Sequence, residues 1–433
     1  MSKPAVTRFL TGITTSGTPH IGNYVGALRP AVEASRRPGT ENFYFLADYH
    51  ALIKCDEPAR VQRSTLEIAA CWLAIGLDPE HVFFYRQSDI PEISELTWLL
   101  TCVTGKGLLN RAHAYKAQVD KNAAAGADAE ADVTAGLFMY PVLMAADILM
   151  FKAHKIPVGR DQVQHIEMAR DIASSFNHLY GEHLVLPEAA IDDSVALLPG
   201  TDGRKMSKSY DNVLALFATR EQLRKQIAAI VTDSRAPGEP KEVEGSALFQ
   251  IYQAFASEQE TASLRKAFAD GIGWGDAKQL LFERIDLEIA PMRERYQSLI
   301  DNPAELERIL QAGAHKARAR ATPFMAELRE AVGLRNLATQ GSKAKGDKPA
   351  RAALPAFKQY RETDGKFYFK LVDARGRLLL QSAAFDSARE AGVTIARLRQ
   401  SSPGATFADV GEPGPGVAPS EVVAALRLMA ESP

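Results

Sequence analysis

TRFLTGITTSGTPHIGNYVGALRPAVEASRR, residues 7–37, decides the fold. TRFLTGI has the apolar, β-branched and aromatic content of a strand, and GNYVGALRPAVEASRR repeats its apolar positions at helical spacing. Between them lies a short turn, with Gly12, Gly17, Gly22 and Gly26 spread about the junction. The same alternation continues outward. NFYFLAD (42–48) predicts a strand, EPARVQRSTLEIAACWLAIGL (57–77) a long helix and HVFFYRQS (81–88) a strand. PEISELTWLLTCVT (91–104) predicts a helix with Pro91 in its first turn, and KIPVGRDQVQHIEMARDIASSF (155–176) a short strand, a turn at Gly159 and a helix. Strand and helix in alternation imply an α/β fold, a parallel sheet with helices on both faces.

Residues 105–133, including KNAAAGADAEAD, interrupt the pattern as an exposed insertion or the tip of a helical hairpin. VTAGLFMYPVLMAADILMF (133–151) predicts a helix that Pro141 kinks or restarts. Beyond residue 215 strands give way to long helices, and NLATQGSKAKGDKPA (336–350) has the composition of a linker. KFYFKLVDARGRLLLQSAAF predicts two strands around a turn at Ala374 to Gly376, and DSAREAGVTIARLRQ a helix. A single ββα unit has one face to bury, so a second degenerate copy or a partner is expected against it. The predicted organisation is a catalytic α/β domain over 1–215, a helical domain over 216–335, a linker over 336–350 and a small α+β domain over 351–433.

At 433 residues and a formal net charge of −2, no global basic field advertises a nucleic-acid binder, so any polyanion must meet a local patch. The N-terminus lacks a signal-peptide pattern and no segment approaches the roughly 20 apolar residues of a membrane span, which predicts no membrane association. Cys55, Cys71 and Cys102 show no CxxC spacing and sit in apolar or mixed runs. Reduced thiols and a cytoplasmic location are expected, without a zinc site or a disulfide framework.

The glycine-rich turn fits neither GxGxxG nor GxxxxGK[ST], and GKG at 105–107 lacks the following hydroxyl of a Walker lysine. A second polar stretch, GRKMSKSYDN (203–212), is either a solvated loop or a mobile clamp for a polyphosphate. Ammonium donors that meet a leaving pyrophosphate only in the transition state lower the barrier without tightening ground-state binding. Lys205 and Lys208 suit that role, with Ser207 and Ser209 adding hydroxyl donors.

His20 followed by Gly22-Asn23 resembles the HIGH signature of class I aminoacyl-tRNA synthetases, and GRKMSKS resembles their second signature. TGITTSGTPHIGNYVGAL (11–28), YPVLMAADIL (140–149) and VGRDQVQHIEMARDIA (158–173) are similar to the tryptophanyl-tRNA synthetases, over about residues 5–335. The resemblance implies a Rossmann-like catalytic domain that activates L-tryptophan with ATP and transfers it to tRNA(Trp). It further implies a homodimer, anticodon recognition by the helical domain, and Mg²⁺ travelling with the ATP phosphates rather than in a protein-built cage. It places Thr14, Thr15 and Ser16 at the phosphates, Gly22 and Asn23 under the nucleotide and Gly159, Arg160 and Asp161 at the ribose. The backbone near Val195 meets the adenine, and Met206 lies within the nucleotide-binding loop. Catalytic roles fall to His20, Lys205 and Lys208. Bacterial relatives often carry Gln-Pro in place of Thr14-Thr15, and Glu in place of Arg160.

Amino-acid choice has a physical reading. Tyr140, Met144 and Asp147 stand at i, i+4 and i+7 and share a helix face, and a carboxylate inside VLMAADILMF needs a donor. The indole N–H is one donor, and a site built on such a bond rejects a ligand lacking it by about 10⁴ to 10⁵. The rival is that Asp147 pairs with Lys152 or Lys155. By resemblance Gln162 and the Tyr140 hydroxyl contact the substrate amine, and His50 approaches the substrate. His165 reads as a packing residue, and Lys116 as a third phosphate contact or surface charge. HKARARATPF (315–324) touches tRNA or is a solvated helix face. The Lys- and Arg-bearing tail either contacts tRNA backbone weakly or serves as a packing or dimer-supporting module. A tyrosyl enzyme and a catalytically silent paralogue are the rival functions; the latter would ordinarily have lost His20, Lys205 or Lys208.

Overall fold

The computed structural model describes residues 6–13, 19–53, 55–191, 197–334, 354–373, 376–400, 407 and 409–430, without the side chains of Asp161, Gln400 and Ala430. Thr14, Thr15, Ser16, Gly17, Val195, most of the Ala374 to Gly376 turn and the expected linker lie outside them. The chain divides into two compact units, residues 1–335 and 336–433.

In the first unit β1 (Thr7–Ile13) runs parallel to β2 (Thr40–Leu46), from Thr7 opposite Thr40 to Ile13 opposite Leu46. With β3 (Phe83–Arg86), β4 (Lys155–Pro157) and β5 (Glu188–Ala190) they form a five-stranded parallel sheet in the order β3-β2-β1-β4-β5. The chain steps outward from β1 to β3 and then returns to the other side of β1. The direction of winding therefore reverses between β1 and β4, where a crevice opens beyond the strands' C-terminal ends. β5 was not anticipated; three residues, Glu-Ala-Ala, carry no strand signal.

Four consecutive residues of β2, Phe43 to Leu46, are buried, as expected of a strand covered on both faces. Tyr44 and Leu46 face one core with Ile13, Phe84 and Trp72, while Phe43 and Phe45 face a second with Leu10, Tyr85 and Ile148. The helices beyond residue 215 extend these cores: Phe268, Phe282 and Leu310 join the first, and Ala317 and Phe324 the second. The helix Pro303–Ala331 lies across β3 so closely that a Cβ on Gly313 would stand 1.7 Å from the Phe84 carbonyl oxygen. Residue 215 is thus no break in packing, and the compact unit continues through the helices.

The helix Ala135–Met150, capped by the Thr134 hydroxyl, continues through Pro141, and no new helix starts there. Among the described residues no helix is long and apolar enough to cross a membrane.

In the second unit β6 (Ala356–Arg361), β7 (Phe367–Val372), β8 (Leu378–Ser382) and β9 (Gly411–Pro413) form an antiparallel sheet in that order. The helices Ala388–Gln400 and Pro419–Ala430 close a core of Phe369, Leu371, Leu380, Leu398 and Val422. The expected ββα unit is β7, β8 and the first helix. β6, β9 and the second helix, all from the same tail, complete it. AFKQYR and GEP hid their strands behind polar, Gly and Pro residues.

Candidate active site

At the reversal point a cavity of about 590 Å³ opens, within the usual range for small-ligand sites. Leu10, Gly12, Phe45, Ile156 and Pro157 form its sheet wall. Gly12 makes room for the Phe45 ring, which a Cβ would approach to 3.0 Å. Tyr140, Met144 and Asp147 enter from the helix Ala135–Met150, His50 from the turn after β2, and Gln162 and His165 from the stretch after β4. All five residues that sequence reasoning assigned to the amino-acid pocket therefore line one cavity.

Asp147 is fully buried, and neither lysine neutralises it. Lys152 lies over the Phe324 ring and Lys155 pairs with Glu188. Instead Gln87 Nε2 donates to both carboxylate oxygens at 2.8 and 2.9 Å, and His50 Nε2 lies 3.0 Å from Oδ2. Gln87 cannot turn its amide away, because its Oε1 accepts the Tyr49 N–H at 3.1 Å. Burial raises the Asp147 pKa, and the bonds from His50 and Gln87 act against that shift. A carboxylate has about four acceptor positions, so these contacts leave it able to receive one more N–H. Tyr140 is fixed by its hydroxyl, 2.6 Å from His165 Nε2, which gives His165 a positioning contact inside the cavity wall.

The second half of the site is held by backbone pairing. Ile21 N donates to Leu214 O at 2.8 Å and Leu216 N to Pro19 O at 3.2 Å, so the His20 turn and the chain after KMSKS are bridged directly. His20 caps the helical segment that begins at Ile21: its Nδ1 accepts the Asn23 N–H at 3.2 Å, and Asn23 Oδ1 accepts the His20 N–H at 3.1 Å. A π-helical turn, Tyr24–Leu28, follows, as is frequent beside functional sites. Burial, and then the charge of Lys208, lower the His20 pKa to about 4. A neutral imidazole whose Nδ1 accepts must carry its proton on Nε2, which makes that nitrogen a donor. Gly22 leaves room between the imidazole and Met206, which a Cβ would approach to 3.0 Å and 3.4 Å.

Met206 is buried and anchors the KMSKS segment, while Lys205, Lys208 and Ser209 are exposed and Ser207 is half-buried. Asn212, 2% exposed, ties the loop together. Its Oδ1 accepts from Ser207 N at 2.8 Å, and its Nδ2 donates to Asp202 Oδ1 at 2.7 Å and Lys205 O at 3.1 Å. Partial desolvation lowers the Lys208 pKa, an effect that Glu67 opposes. Gly159 and Arg160 follow the end of β4, at the mouth of the crevice. Lys116 is exposed on the helix His113–Ala124, whose first two residues line the cavity. Among the described residues no group of three or more His, Cys, Asp or Glu side chains could hold a metal ion.

The family model for class I tRNA synthetases (W and Y) matches residues 3–287. A tryptophan–tRNA ligase of Xanthomonas axonopodis is 67% identical over 396 residues, 91% of this chain and 92% of that one. One from Xylella fastidiosa is 62% identical over 428 residues, 98% of both chains. The crystal structure of Campylobacter jejuni tryptophanyl-tRNA synthetase complexed with ADP and tryptophan has a TM-score of 0.70 at 42% identity. It covers 76% of this chain and all of that one. The chain belongs to the tryptophanyl-tRNA synthetase family.

Two residues of this synthetase's site escaped sequence reasoning. Gln87, at the end of β3, meets Asp147 across 60 residues of sequence. Only its place at the end of a predicted strand could have marked it. Asn212 closes KMSKSYDN, but nothing in its spacing shows that it turns back on the loop.

Proposed function

We propose that the cavity holds L-tryptophan with its indole N–H on Asp147 and its ring beside Met144, while MgATP lies between the His20 turn and KMSKS. The chain is an ATP-dependent aminoacyl-tRNA ligase for tryptophan. The tryptophan carboxylate attacks the α-phosphorus of ATP, forming tryptophanyl-adenylate and releasing pyrophosphate. A terminal ribose hydroxyl of tRNA(Trp) then attacks the acyl carbon, giving the ester and AMP. His20 Nε2–H meets a phosphate oxygen, and Lys205, Lys208, Ser207 and Ser209 take up the charge that grows on pyrophosphate. Gln162 and Tyr140 orient the amine, and Gly22, Asn23, Gly159, Arg160 and Asp161 bind the nucleoside. Thr14, Thr15, Ser16 and Val195 contribute as the family resemblance implies, and Lys116 is a further phosphate contact. Mg²⁺ arrives as part of the nucleotide, held by its phosphates.

The observation that carries this reading is Asp147, buried in the wall of the cavity and oriented by Gln87 and His50 with an acceptor position to spare. ATP–pyrophosphate exchange with Trp, Tyr and Phe tests it. Exchange is expected with Trp alone, and kcat/KM is expected to fall about 10- to 100-fold in Asp147→Ala, the loss typical of one bond to a charged group. Exchange with Tyr would overturn the pocket assignment.

We further propose a cytoplasmic homodimer, with the helical region of residues 216–335 recognising the anticodon. Trp98 is 67% exposed on the helix Pro91–Thr101, with Cys102 exposed after it, an apolar surface that favours a partner subunit. Sedimentation should give twice the 47.2 kDa chain mass; a species of single mass removes the dimer.

A further inference from the structure

The second unit carries a surface that the aminoacylation site does not use. Antiparallel pairing of β6 with β7 sets Tyr360 opposite Tyr368 and Lys358 opposite Lys370, and β8 sets Gln381 opposite Lys370. These five side chains share one pleat. The other pleat sends Phe369, Leu371 and Leu380 into the core beneath the helices, with Phe357 packed beside them. The tyrosine rings lie 5.9 Å apart between centroids with planes 23° from parallel, and Lys370 Nζ stands 5.4 Å from the Tyr360 centroid.

Two features are difficult to explain by folding alone. Like charges directly opposite across a ladder destabilise a sheet, yet Lys358 faces Lys370 and neither forms an ion pair among the described residues. Both tyrosine hydroxyls are also tied down, Tyr360 donating to Gln381 Oε1 at 3.0 Å and Tyr368 to Asp364 Oδ2 at 2.7 Å. The rings are thereby held in fixed positions on a face that remains partly exposed.

Fixed aromatic faces beside unpaired ammonium groups match unpaired RNA, whose bases stack and whose phosphates need cations. We propose that this face docks unpaired nucleotides of the tRNA substrate, an inference that rests on the reading of the chain as a tRNA ligase. Tyr360 and Tyr368 stack bases, and Lys358 and Lys370 meet the flanking phosphates. Asp364 at the β6–β7 turn and Glu412, opposite Gln381 on β9, bound the footprint with negative charge.

The test uses the full chain and two double variants, Lys358→Glu with Lys370→Glu and Tyr360→Leu with Tyr368→Leu. Fluorescein-labelled 12-nucleotide oligouridylate is titrated by anisotropy across a KCl series, and the KM for tRNA(Trp) transcript is measured alongside. Each variant should weaken oligouridylate binding and raise the tRNA KM by about 10-fold. The slope of log affinity against log salt should shrink by about 1.4 in the lysine variant, for two phosphates on a single strand, and remain as in wild type in the tyrosine variant. ATP–pyrophosphate exchange needs no tRNA and should remain within two-fold by this proposal. Its absence in the wild type would instead refute the ligase reading, leaving the oligonucleotide result to stand separately. If the tyrosine variant loses its circular-dichroism signal, the lysine variant decides alone. Unchanged affinity and unchanged tRNA KM overturn the proposal. So does conversion of a dimer to a monomer with RNA binding intact, which would assign the face to protein contact.

Discussion

His20 shows how one side chain's surroundings set its chemistry. Free histidine titrates near 6.5; here burial, reinforced by Lys208, lowers it to about 4. The folded protein therefore keeps a neutral imidazole, with its proton on Nε2, at neutral pH. The sign for stability follows. Between pH 6.5 and 4 the unfolded chain binds the proton and the folded one does not, so this group's contribution is fully present above pH 6.5 and is lost as pH falls toward 4. In a spectrum of ¹³C-labelled histidine, the His20 Cε1 resonance should not move between pH 8 and 5.5. A midpoint near 6.5 would show that the imidazole becomes charged and would remove it as a neutral donor.

At the scale of elements, the exposed lysines of the KMSKS loop stand on a fixed base. Asn212 satisfies Ser207 N and Lys205 O from beneath, and Gly200 allows it: a Cβ there would stand 2.3 Å from the Asn212 side chain. Asn212→Ala strands those groups at about 1 to 3 kcal/mol and lets the lysines drift. Adenylate formation should lose kcat by about 10-fold, the penalty of imperfect positioning, while the KM for tryptophan stays within two-fold. Amides of residues 202–212 should exchange faster; unchanged kcat and unchanged protection would mean that the loop does not depend on this anchor. Elements also show what a sequence reveals. β1 to β4 and the long helices were legible because apolar period and length agree. Tyr140, Met144 and Asp147 were legible because one helix carries all three at fixed spacing. Gln87 was not, because its partner arrives from another element only when the sheet forms. β5, β6 and β9 were not, because short edge strands with polar, Gly or Pro residues have no periodic signal. The same holds for the cation pair on β6 and β7, which exists only in the register of the folded ladder.

For the whole molecule the consequence lies in its two compact units, each with its own buried core. Separate cores unfold as separate cooperative transitions unless a large apolar interface joins them. The proposed tryptophan and ATP sites belong to residues 1–335 alone. A ligand that binds only the folded form stabilises it by RT ln(1 + [L]/Kd), about 2.7 kcal/mol at a hundred-fold excess over Kd. Calorimetry with saturating tryptophan and a non-hydrolysable ATP analogue should therefore raise one endotherm by several degrees and leave a second in place. Trp72, Trp98 and Trp274 all belong to the first unit, so indole fluorescence, followed with the nucleotide analogue alone, should track only the endotherm that moves. If both endotherms shifted together, the tail would be energetically coupled to the catalytic unit. Its sheet would then have to be treated as part of the active machinery, because ligand binding to one unit would be stabilising the other.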